Sequence, residues 1–128
     1  MNLDAAGSYE PVVAPAPRLG SMVDGAAVSW SGTPHINVAT PVDVQIARGD
    51  GRPVALERHL GAYGHLVLIR EDDLGYLHFH ASTLHATNET VGTLRFYPYA
   101  PSLGRYRAYV DFRLDGAVRT AEFTVEVR

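Results

Sequence analysis

One feature dominates this chain: apolar and polar side chains alternate with a period of two in several short runs, and each run ends in turn-forming residues. Neighbouring side chains on a strand point to opposite faces, so such runs build sheets with one face buried and one face wet. Val42, Val44 and Ile46 alternate with Asp43, Gln45 and Ala47. Tyr106, Ala108, Val110 and Phe112 alternate with Arg105, Arg107, Tyr109, Asp111 and Arg113. Ala121, Phe123, Val125 and Val127 alternate with Glu122, Thr124 and Glu126. Residues 27–30, 76–80 and 93–97 read as further strands, and the continuous apolar run 65–69 reads as a central strand covered on both faces. Asp115-Gly116 predicts a tight hairpin, because both central positions of its turn need positive φ. No segment carries apolar residues at helical spacing for ten residues or more.

About seven strands separated by turns predict an all-β, antiparallel, immunoglobulin-like β-sandwich. The length of 128 residues suits one domain. Residues 1–22, with Pro11, Pro15 and Pro17 among small residues, read as an N-terminal arm or linker, and residues 23–128 as the sandwich. Tyr106 near the start of a late strand, after Gly104-Arg105, matches the tyrosine corner of such folds; an ordinary core tyrosine is the alternative. A free sheet edge could recruit the arm.

Composition removes several function classes. Apolar residues at 46% and charged residues at 20% specify a globular chain. A net charge of −3 argues against nucleic acid as a partner. There is no cysteine, hence no disulfide, no thiolate ligand and no blue-copper site. No apolar window is long enough for direct membrane insertion, and no signal peptide is visible at the start. All 11 basic residues are arginine, which reads as coding bias. No nucleophile elbow, phosphate loop or HExxH motif is present, so the chain reads as non-catalytic.

The residues that can carry chemistry are histidines. His78 and His80 stand two apart on a strand, so both project from one face with Cβ atoms roughly 6.5–7 Å apart. If Ile69 pairs with Tyr76 across residues 70–75, His65 falls opposite His80 and Val67 opposite His78, and cross-strand partners share a face. A slip of one residue would send His65 to the other side. Three neutral imidazoles at His65, His78 and His80 suit copper, zinc or nickel; the alternative is three structural histidines. His35, His59 and His85 read as solvated loop or strand-edge residues. Glu71, Asp72 and Asp73 lack the spacing of a calcium loop. Asn88-Glu89-Thr90 is a glycosylation sequon of the kind that chance produces. Arg105, Arg107, Arg113 and Arg119, offset by Asp111, Glu122 and Glu126, read as a salt-bridged sheet face.

The run GDGRPVALERHLGAYGHLVLIREDDLGYLHFHA, residues 49–81, resembles an actinobacterial-type family of secreted or membrane-anchored proteins. Its members carry Leu-Gly-Ala-Tyr-Gly-His-Leu-Val and then His-x-His-Pro. Residues 103–128 are similar to the C-terminal end of that family. The resemblance implies tandem immunoglobulin-like or cupredoxin-like β domains, a preceding β domain or another protein as partner, and an extracytoplasmic location. It also implies metal handling through the His-x-His motif, with copper or zinc at His65, His78 and His80. This chain departs at Ala81, where the family has proline; alanine should leave the strand exit freer. From residues and resemblance together, a structural or protein-interaction module stands slightly ahead, with the metal module as the alternative.

Overall fold

The computed structural model describes residues 18–72, 75–81, 83–85 and 91–128, the last strand before residue 91 by its backbone alone. Among the described residues every regular element is a strand: β1 (Gly20–Val23), β2 (Ala26–Ser31), β3 (Val42–Arg48), β4 (Leu56–Glu57), β5 (Gly64–Arg70), β6 (Tyr76–His80), β7 (Thr83–His85), β8 (Val91–Phe96), β9 (Gly104–Leu114) and β10 (Ala117–Val127). They form two antiparallel sheets, β1-β2-β3-β8-β7 and β10-β9-β5-β6, with β4 added to β9. No helix is long and apolar enough to cross a membrane.

The alternating residues do what their period demands. Val28, Trp30, Val42, Val44, Ile46, Leu94 and Phe96 of the first sheet are buried together with Leu66, Leu68, Val110, Phe112, Phe123 and Val125 of the second. Trp30 and Phe123 bridge the layers with ring centroids 5.7 Å apart. Gly64 lets the layers approach: a Cβ there would stand 2.6 Å from Leu94 Cδ1. Asp115 (φ 55°) and Gly116 (φ 75°) make the β9–β10 turn in the left-handed conformation expected of them. Tyr106 is buried, and its hydroxyl donates to the Ser102 carbonyl at 3.1 Å, closing a tyrosine corner.

Two differences from the sequence reading concern elements too short to show a period, and a third concerns β5. β1, β4 and β7 have four, two and three residues, and they raise the strand number among the described residues from about seven to ten. β1 begins at Gly20, and Arg18 exchanges backbone hydrogen bonds with Thr124 of β10 at 2.8 and 2.9 Å, which stitches one pair of sheet edges together. β5 is not covered on both faces: Leu66 and Leu68 are buried, but Val67 and Ile69 are half-buried, because β9 and β6 flank the strand edge to edge while its outer face is left to side chains.

Candidate metal centre

The site grows from the β5–β6 hairpin. Its register is His65↔His80, Leu66↔Phe79, Val67↔His78, Leu68↔Leu77 and Ile69↔Tyr76. Burying Leu66 and Leu68 inward obliges His65 and Val67 to face outward, and the pleat then puts His78 and His80 on that same outer face. The three rings meet there. His65 and His78 lie 5.5 Å apart, nearly parallel, while His80 stands edge-on to His65 at 4.8 Å and to His78 at 5.0 Å. One nitrogen from each ring can be chosen so that all three lie within 4.8 Å of one another.

His65 is the fixed member. It is only 5% exposed, while His78 and His80 are exposed on the edge strand. Its Nε2 lies 2.7 Å from the His59 carbonyl oxygen. A carbonyl only accepts, so Nε2 carries a proton and Nδ1 is the nitrogen left to face a ligand. A ring nitrogen bonded to a backbone carbonyl is the support that a ligating histidine commonly has, since it sets tautomer and orientation. Zn–N bonds of about 2.0–2.1 Å in a tetrahedron need nitrogens about 3.3 Å apart. The exposed rings of His78 and His80 are free to close that gap while His65 stays in place.

Ala81 behaves differently from expectation. Its N–H donates to the Gly64 carbonyl at 2.9 Å, adding a rung beyond His80. Proline has no such donor, so alanine pins the exit of β6 instead of freeing it.

The other candidates are dispersed. His35 is exposed and bridges Val38 in a separate loop. His59 departs from its expected solvated role: it is half-buried, and its ring sits 6.0 Å from that of His65, edge-on. Its signal in the sequence was Gly61, which marks the tight turn that brings it back to β5. Of the acidic tip, Glu71 lies 3.5 Å from Arg107 and Asp72 is exposed. Asp73, the sequon 88–90 and the side chain of His85 lie outside the described residues.

The arginine face is paired, with partners that only partly match the sequence reading. Arg105 meets Glu126 at 3.2 Å and Arg107 meets Glu122 at 2.7 Å. Arg113 and Arg119 instead reach Glu57 and Asp24, and Asp111 accepts a hydrogen bond from Thr120 at 2.6 Å. Beside the β9–β10 turn a cleft of about 290 Å³ holds Arg48, Arg52 and Arg119, but Asp115, Asp50 and Asp24 neutralise them. That leaves the histidine cluster as the strongest site among the described residues.

A family model described as Domain of unknown function (DUF8832) matches residues 21–128. No curated protein and no solved structure matches the chain.

Proposed function

The chain belongs to this family of unknown function, and from that premise we propose that it is a non-catalytic module that binds a divalent transition metal, copper or zinc, through His65, His78 and His80. The observation that carries the reading is the convergence of one buried, backbone-oriented imidazole with two exposed ones. Neutral imidazole is a preferred ligand of both ions, and copper(II) takes the higher affinity at a nitrogen site of given geometry. The module would act outside the cytoplasm with a further β domain or protein as neighbour, a reading supported by the resemblance of residues 49–81 to exported proteins.

The test is calorimetric titration of the chain with Cu(II) and Zn(II), repeated on His65→Ala and His78→Ala. Saturable one-to-one binding below about 0.1 mM, weakened at least tenfold in both variants, is the expected result. Millimolar binding, or unchanged binding in the variants, would remove the proposal.

A second reading has its own observation. Tyr97, Tyr99 and Leu103 stand 45%, 48% and 58% exposed on one loop, away from the histidines. Exposed aromatics of this kind suit a protein contact. Tyr109, on β9, is half-buried and does not belong to that surface. Cross-linking from cell-envelope material that is lost in Tyr97→Ser/Tyr99→Ser would support the contact surface; capture undiminished in that variant would exclude it.

A further inference from the structure

We infer that His59 supplies a fourth imidazole to the ion held by His65, His78 and His80, an assignment that rests on the three-histidine reading. Three protein nitrogens leave a tetrahedral or tetragonal ion one ligand short. Among the described residues a further imidazole beside the three is that of His59, half-buried and 6.0 Å from the His65 ring.

The backbone around His59 is built to stay there. His59 and Ala62 exchange backbone hydrogen bonds at 2.8 and 3.2 Å across a turn in which Leu60 (φ 52°) and Gly61 (φ 82°) are both left-handed. Leu60 is 78% exposed, so no burial of its side chain offsets a conformation that disfavours a branched residue. Local strain of this kind persists where surroundings over-determine it. Here the surroundings are visible. Arg58 donates to the Gly61 carbonyl at 3.2 Å and lies 5.0 Å over the Tyr63 ring. His65 Nε2–H holds the His59 carbonyl from the other side.

One residue therefore meets the cluster twice. The His59 carbonyl orients His65, and the His59 ring, on a hydrogen-bonded turn beside it, would turn a nitrogen toward the ion by side-chain rotation. The resulting four-nitrogen set suits Cu(II) in tetragonal geometry or Zn(II) in a closed tetrahedral site.

The experiment uses the full chain with Cu(II) alone. Electron paramagnetic resonance should show four coupled nitrogens in the wild type and three in His59→Ala and in His59→Gln. Competition titration should show both variants about 10–100-fold weaker, the range that loss of supporting or ligating groups produces. Both variants keep the carbonyl, so thermal unfolding without metal should be unchanged, and His35→Ala should leave spectrum and affinity as they are. Four nitrogens in the His59 variants, or three in the wild type, would overturn the assignment while the three-histidine site stands; this includes the case of weaker binding with an unchanged spectrum, which would leave His59 as a positioning residue. Absence of saturable Cu(II) binding by the wild type would defeat the underlying reading itself.

Discussion

At the scale of single residues, Gly64 and Ala81 frame the strand ends that carry the histidine cluster. They are partners: the Gly64 carbonyl accepts the Ala81 N–H at 2.9 Å, and Gly64 also touches the opposite layer through Leu94 and Phe96. Gly64→Ala would overpack that contact, and we expect a loss of about 1–3 kcal/mol, read from urea midpoints. A neutral result would mean that Leu94 swings aside freely. Ala81→Pro removes one backbone hydrogen bond beside His80, for which about 1 kcal/mol is expected; equal or higher stability would show that the rung is not formed in solution. Neither residue announced its role in the sequence. Alternation reports which side a residue faces, but it is silent on how closely two layers approach and on which carbonyl a given N–H meets.

At the scale of elements, the long strands were legible and the short ones were not. β3, β9 and β10 carry enough consecutive alternation for the period to stand out, and a fixed hairpin register then placed His65 opposite His80. β1, β4 and β7 contain too few residues for any period, and only pairing with longer neighbours makes them strands. The same reasoning found three histidines and missed the fourth, because His59 joins them through a turn and not through a ladder. Among the described residues β6 is the edge of its sheet, paired with β5. Its backbone should open more readily than that of β9, which lies between two strands. Hydrogen exchange should therefore be faster at the bonded amides of β6 than at those of β9, and Cu(II) or Zn(II) should slow β6 selectively. Protection that does not change with metal would count against ligation by His78 and His80.

For the molecule as a whole, charge pairs at the turn end should set the response to acid. The Arg48 guanidinium, hydrogen-bonded at 2.6 Å, holds the Asp115 carboxyl below the usual carboxylate range. The backbone N–H of Arg52, and then its side chain, does the same for Asp50. A folded value below the unfolded one, near 3.9, gives stability that is fully present above that value and lost as pH falls through the lower one. The urea midpoint should be level from neutral pH to about 4 and fall below it, with a shallower fall in Asp115→Asn; identical acid limbs would discard the pair as a contributor. The hairpin itself has a different consequence. His65, His78 and His80 sit on strands adjacent in the chain, whereas β9, which completes the sheet beside them, arrives from far downstream. A metal ion added to the denatured protein thus meets its three principal donors already close in sequence. It should be captured before the layers assemble, so that metal speeds refolding while raising the final melting temperature less than its affinity for the native protein alone would dictate.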